Sequence, residues 1–359
     1  MKAAQFFARG DIRVVDVPKP EPGEHEALVA IEWGGICGSD LHEYEYGPIA
    51  IPLPEHPHPA TGNHIPVTMG HEFAGRIVSA PPGSGLKPGQ AVMVDPRIYC
   101  SKCSRCNAGS THGCTTLGFK GLSGTGGGFS EAVAIDAKLC YPLPDDVDLS
   151  LAALIEPLAV AWHAISLCDA RKWSEKSVLI LGGGPIGIAC ALGLRARGCN
   201  QIFVSEPTAT RAAQNKQVSD AVFNPIHENV AEKCREVTGG EGVEVVFDCA
   251  GVQKGFDAGM DALRYRGLYM NVAAWGTPMV VPFVSYILKE ITMKCALAYD
   301  DNDFRETVDA FVAGKFKGVE TMVTSRIHLD DVATKGFDEL VHHKDNHIKI
   351  LVTPDKSKV

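Results

Sequence analysis

Apolar and polar positions follow two different rhythms along this chain. Over roughly the first 155 residues, short apolar runs at 12–17 and 27–31 are interrupted by Pro18, Pro20, Pro22 and Gly23, then by Gly34 and Gly35. Runs of that length between turn formers predict many short strands, a β-rich unit with irregular loops. The stretch 44–66 carries six prolines, including the run His56-Pro-His-Pro59, and predicts a long loop of the kind that is usually functional in a compact domain. From Ser177 the rhythm changes. Residues 178–181, 201–205, 221–223, 243–248 and 268–272 predict strands, and residues 185–197, 208–217, 230–237 and 256–264 predict helices between them. That alternation predicts right-handed βαβ units and a doubly wound parallel sheet covered on both faces. Past residue 290 the texture shifts again and ends in a strand-like run at 348–352, so the tail is expected to return to the first domain.

Composition narrows the function classes. A chain of 359 residues favours two domains. With 43 acidic against 34 basic residues, its net charge of −9 offers no basic excess to hold nucleic acid. Hydrophobic residues at 45% and charged residues at 21% exclude disorder and a membrane protein as first readings. Residues 177–194 approach membrane-span length uncharged, but five glycines and Pro185 suit a glycine-rich turn better. The first twenty residues hold Arg9, Asp11, Arg13 and Asp16 and no apolar core of signal-peptide length, and the terminal Ser-Lys-Val only approximates a peroxisomal address. The expectation is a cytoplasmic protein. In that setting twelve cysteines point to metal chemistry ahead of disulfides.

Two motifs are local and specific. Gly182-Gly183-Gly184-Pro185-Ile186-Gly187 fits G-x-G-x-x-G, follows a predicted strand, opens a predicted helix and is followed by Glu206 at the end of the next strand. Gly182 permits the tight turn, Gly184 lets backbone N–H groups approach a pyrophosphate, and Gly187 lets the helix pack closely. Glu206 would accept the adenosine ribose hydroxyls and repel a 2′-phosphate, favouring NAD over NADP, with Arg211 near enough to soften that exclusion. Cys100, Cys103, Cys106 and Cys114 read C-x2-C-x2-C-x7-C, which fits a closed structural zinc site. An iron–sulfur cluster is the runner-up. Cys37, Ser39, His42, His71, Glu72 and Glu156 are dispersed, and each alone also suits an ordinary structural role. The cysteines at 140, 168, 190, 199, 234, 249 and 295 lack ligand spacing and are expected to be small core residues.

The passages Gly35-Ile-Cys-Gly-Ser-Asp-Leu-His-Glu-Tyr44, Met69-Gly-His-Glu-Phe73, Glu156-Pro-Leu-Ala-Val-Ala-Trp-His163 and Phe247-Asp-Cys-Ala-Gly-Val252, with the cysteine lobe and glycine turn, resemble the zinc-dependent medium-chain alcohol dehydrogenases. Within them the chain is most similar to the 2,3-butanediol and sorbitol dehydrogenase-like group. The resemblance implies an α/β protein with a GroES-like β-rich catalytic domain at 1–155 and 291–359, a structural zinc lobe at 97–118, and a Rossmann NAD-binding domain at 156–290. It implies a catalytic zinc on Cys37 and His71, completed by Glu72 or Glu156, and a second zinc on the cysteine lobe. Ser39 would take the alcohol proton and His42 would pass it on, with Glu72 counted among the catalytic groups. Gly182, Gly184, Pro185, Ile186, Gly187, Glu206, Arg211 and Val272 would hold NAD(H). The implied reaction interconverts a small secondary alcohol or vicinal diol and its ketone, with 2,3-butanediol and acetoin as the lead pair and sorbitol or xylitol as the alternative. A zinc ribbon that binds without catalysis is the reading from another class, and Arg97, Lys102, Arg105 and Lys120 are its only nearby cations. A homodimer is the default assembly, with a tetramer as its rival. Lys87-Pro-Gly-Gln90 and Asn271-Val-Ala-Ala-Trp-Gly-Thr-Pro278 depart from the family pattern.

Overall fold

A computed structural model describes residues 1–124, 126–169 and 172–359, apart from the side chain of Ser285. Two compact units emerge. One comprises Met1–Glu156, Asp300–Val312 and Val323–Val359, and the other Pro157–Tyr299 and Ala313–Met322.

In the first unit the ten-residue strand Glu26–Gly35 is central. It pairs antiparallel with Glu72–Ser79, with Ala132–Asp136 and with the strand Lys349–Thr353 near the other end of the chain. Its alternate residues Ala27, Val29 and Ile31 face a core with Phe73, Ile77, Val92, Val94, Val133 and Ile135, and Leu28 and Trp33 are buried as well, so the strand is covered along much of both faces. A second core, with Phe6, Ile36, Met69, Phe129, Phe337 and Ile350, lies beneath the helix Gly38–Tyr46 and the long loop that follows it. A two-stranded ribbon, Arg97–Ile98 with Gly118–Phe119, forms the neck of the cysteine lobe.

The second unit is a six-stranded parallel sheet whose order, counted along this unit, is 3-2-1-4-5-6. Ser177–Leu181 is buried at all five positions because it runs between neighbours on both sides. The order reverses between it and Val243–Asp248, where ligands bind outside the carboxyl ends of such strands.

Two boundaries differ from expectation. Residues 292–295 form the sixth strand of the parallel sheet, and Ala313–Met322 also belongs to this unit, so it does not stop at 290; Glu156 falls in the first unit. The strand alternates polar and apolar residues over only four positions, none of them buried, at the sheet edge, so it carries no buried-strand signal. The helix expected at 256–264 is Gln253–Ala262, and Leu263 already pairs with Val243. A register shift then absorbs residues 264–267 before Leu268 pairs with Val245. No described helix is long and apolar enough to cross a membrane.

Candidate metal centres and nucleotide turn

Cys37, His71 and Glu72 come from different elements and meet in the first unit, with one ligand atom of each within 4.8 Å of the others. Cys37 is the N-cap of the helix Gly38–Tyr46, and Asp40 at the third helical position accepts the Cys37 N–H at 2.9 Å. This is the reciprocal spacing of a capping box, and it fixes the cysteine where the chain enters the helix. His71 and Glu72 follow Gly70, whose φ of +89° turns the chain into the strand Glu72–Ser79. Gly35 stands opposite Glu72 in the sheet, and a β-carbon there would lie 2.2 Å from the Glu72 carboxylate. Only glycine leaves that carboxylate room.

His71 and Glu72 are buried, Cys37 is half-buried, and the three are unevenly satisfied. Ser39 Oγ lies 3.1 Å from His71 Nε2. His71 Nδ1 stands 3.3 Å from Asp40 Oδ1, yet neither atom has an aligned hydrogen-bond partner among the described residues. Burial opposes a charge on the ring, but Asp40 and Cys37 outweigh it, so the His71 pKa is raised well above its ordinary value. A pocket that draws a proton this strongly is electronegative, and its thiol, imidazole and carboxylate are a zinc-type donor set. Glu72 is also held by Lys349, whose Nζ lies 2.6 and 2.7 Å from its two oxygens and 3.0 Å from the carbonyl of Ile36.

Of the two carboxylates in contention, Glu72 joins this cluster. Glu156 is buried in the first turn of the helix Ile155–Ser166 and is not among the residues gathered there. His42 is exposed on the helix Gly38–Tyr46, three residues beyond Ser39 and therefore on the same helical face.

Cys100, Cys103, Cys106 and Cys114 converge in the same way. No disulfide joins any of the twelve cysteines. Backbone N–H groups point at the sulfurs: Cys100 N–H at Cys114, Cys103 N–H at Cys100, Cys106 N–H at Cys103 and Thr116 N–H at Cys114, all at 3.3–3.5 Å. Such donors stabilise thiolates, and the Cys106 N–H leads the causes that bring the Cys103 thiol down to about 5. Below the lobe, Arg97 is buried with its guanidinium 2.6 Å from Asp95, 2.7 Å from Asp301 and 2.9 Å from Thr111, which tethers the lobe to the unit's core. Lys120 is buried as well. Two of the four cations near the lobe therefore face away from any polyanion.

In the second unit, Gly182 turns at φ +88° after the strand Ser177–Leu181, and Pro185 opens the helix Pro185–Ala196 with Ile186 and Gly187 in its first turn. A β-carbon at Gly187 would sit 1.9 Å from the Gly182 carbonyl, so close packing of the helix on the turn requires glycine. Among the described residues Gly184, the N-cap, has no side-chain cap, and only an Arg211 nitrogen, at 4.0 Å, comes near its missing β-carbon. The turn thus leaves open space in front of a twelve-residue helix N-terminus, as an anion requires. Glu206 is buried and accepts the N–H groups of Gly183 and Thr208, both at 2.7 Å. Val272 follows the strand Leu263–Asn271 and donates its N–H to the Asp248 carbonyl at 2.9 Å.

Several placements differ from sequence expectation. His58 is buried although it lies in the long loop, with Nε2 3.4 Å from the Leu117 carbonyl. Cys295 is exposed at the sheet edge and is not a core residue. Asp40 and Lys349 were missed as site residues. The Cys-x-x-Asp spacing ahead of a helix could have disclosed Asp40, but no local signal links Lys349 to a carboxylate 277 residues earlier.

Residues 23–145 match the family described as alcohol dehydrogenase GroES-like domain, and residues 185–313 match zinc-binding dehydrogenase. The chain is 37% identical over 358 residues to an (R,R)-butanediol dehydrogenase of Neisseria gonorrhoeae, covering 99% of this chain and 100% of that protein. The crystal structure of 2R,3R-butanediol dehydrogenase from Bacillus subtilis superposes with a TM-score of 0.90 at 33% identity, covering 99% of both chains. A Sinorhizobium meliloti protein solved with NADP bound superposes at 0.87 with 28% identity, covering 98% of this chain and 99% of that one.

Proposed function

The chain belongs to the zinc-dependent alcohol dehydrogenases, and from that premise we propose that it oxidises a small vicinal diol at a secondary carbinol, with 2,3-butanediol and acetoin as the lead pair. The cluster of Cys37, His71 and Glu72 with Ser39 on its imidazole carries this reading, in a chain similar over its full length to butanediol dehydrogenases. Zinc held by those three donors would supply a Lewis acid for the substrate oxygen, and NAD would supply the hydride acceptor. The rest is the work of the chain's own groups. Ser39 Oγ takes the hydroxyl proton of the substrate. His42, exposed and one turn further along the same helical face, passes that proton to solvent. Asp40 orients the His71 ring, and Lys349 balances the charge of Glu72.

The glycine turn would receive the pyrophosphate and Glu206 the adenosine ribose. Its carboxylate, fixed by two backbone N–H groups, would meet a 2′-phosphate with a charge that cannot swing away, which supports NAD over NADP. The four-cysteine lobe would hold a second, structural zinc. Phe283, Val284, Ile287 and Leu288 are each about 70% exposed beside the edge strand Thr292–Cys295, a surface suited to pairing with a second copy.

The test is a substrate panel of butanediol stereoisomers, acetoin, sorbitol, xylitol and simple secondary alcohols, followed by NADH absorbance. Turnover is expected to be highest with a butanediol isomer and acetoin. Preference for sorbitol or xylitol would move the assignment to polyols.

A further inference from the structure

Asp248 ends the strand Val243–Asp248 at the carboxyl edge of the parallel sheet, is fully buried and forms no ion pair among the described residues. Its charge is met by four donors instead. Oδ1 accepts the N–H groups of Ala250 and Gly251, both at 3.0 Å, and Oδ2 accepts the Tyr269 hydroxyl at 2.9 Å and the Trp275 indole N–H at 3.1 Å. The Asp248 carbonyl receives the N–H groups of Val272 and Ala273 at 2.9 and 3.0 Å. The indole N–H also reaches Asn271 Oδ1 at 3.1 Å, and the ring stands edge-on to Phe256. One aspartate therefore binds the turn that follows it, Tyr269 in the next strand, and Val272, Ala273 and Trp275 just beyond that strand.

These contacts continue to the glycine turn. A β-carbon on Gly182 would lie 3.1 Å from the Ala250 methyl, and one on Gly251 would lie 3.1 Å from the Ala273 methyl. Strand order then divides the roles. Glu206 follows the strand on one side of the reversal, while Asp248 and residues 272–275 follow the two strands on the other. A dinucleotide lying across the reversal puts its pyrophosphate on the glycine turn and its two nucleoside halves on opposite sides. With the adenosine half at Glu206, the nicotinamide half falls to the Asp248 side.

We propose that Asp248 and Trp275 are positioning residues for the nicotinamide half of the cofactor. The indole N–H clamps residues 272–275 onto Asp248, so their backbone groups are already ordered when the nicotinamide arrives. This rests on the reading of the glycine turn as a nicotinamide dinucleotide site. A hydrogen bond to a buried charge is worth about tenfold or more in an equilibrium when lost, and here the loss would be felt by one half of the ligand only.

The experiment compares ADP-ribose, which lacks nicotinamide, with NADH by calorimetry on the full-length protein, using Trp275→Phe and Asp248→Asn. Trp275→Phe keeps an aromatic ring against Phe256 and removes only the donor. The expected result is a Kd for NADH raised about tenfold and a Kd for ADP-ribose within about twofold of the parent. Should Asp248→Asn fail to fold, Trp275→Phe decides the matter alone. Equal weakening of both ligands, or no change in either, overturns the positioning role. A parent protein that binds neither ligand defeats the nucleotide reading itself, a separate and recognisable outcome.

Discussion

Replacing Lys349 by Met removes one charge from a pair with no water around it. Lys349 and Glu72 are essentially inaccessible, and the ammonium nitrogen lies 2.6 and 2.7 Å from the two carboxylate oxygens. Burial opposes the lysine's charge, yet Glu72 and Cys37 prevail and its pKa is raised. At an effective dielectric constant of about 20 the attraction at such a distance is about 6 kcal/mol, against which stands the desolvation of both ions. Removing one partner of a buried pair strands the other, and such losses run to about 3–5 kcal/mol. For a unit of roughly 150–250 residues, each kcal/mol lowers the unfolding midpoint by about 2–4 °C, so metal-free Lys349→Met should melt roughly 6–20 °C below the parent. Adding Glu72→Gln removes the stranded charge and should recover most of the loss. Zinc should stabilise Lys349→Met more than the parent, because a cation at Cys37, His71 and Glu72 replaces the missing charge; by linkage the variant should bind zinc at least about tenfold more tightly. Thermal unfolding followed by near-ultraviolet circular dichroism, with and without zinc, measures both effects. A metal-free midpoint within about 2 °C of the parent would refute the reasoning, because it would mean that Glu72 has no need of its partner.

Two further outcomes are expected. Metal analysis of the purified protein should give about two zincs per chain, with Cys37→Ser losing one and Cys103→Ser losing the other; loss of both from either variant would contradict two independent sites. Glu206→Ala should lower the ratio of kcat/KM for NAD to that for NADP by about tenfold or more, since it removes a fixed buried charge from the end of the second parallel strand; an unchanged ratio would take Glu206 out of cofactor selection.

What the sequence made legible was local. The glycine turn and the cysteine lobe are each written within about fifteen consecutive residues, and their geometry follows from one turn or one ribbon. Cys37, His71 and Glu72 could be recognised only through the motifs around them, since their meeting depends on how the strands Glu26–Gly35 and Glu72–Ser79 pair. Lys349 and the bond from Trp275 to Asp248 were invisible for the same reason, because sheet register sets them and neighbouring residues do not announce it. The strand Thr292–Cys295 was missed because an edge strand needs no continuous apolar run.

The strand Lys349–Thr353 closes a sheet whose central strand is Glu26–Gly35. On a ribosome adding about 5–20 residues each second, residue 349 follows residue 72 by roughly a quarter of a minute to a minute. The second unit has all its residues once residue 322 emerges, while the first still lacks its closing strand. The unit begun first is therefore finished last, and until then the Gly34–Gly35 end of its central strand is paired on one side only and Glu72 lacks its countercharge. The form most exposed to wrong pairing is the growing chain, so conditions that slow translation or deplete chaperones should reduce the yield of this protein well before they affect molecules already folded.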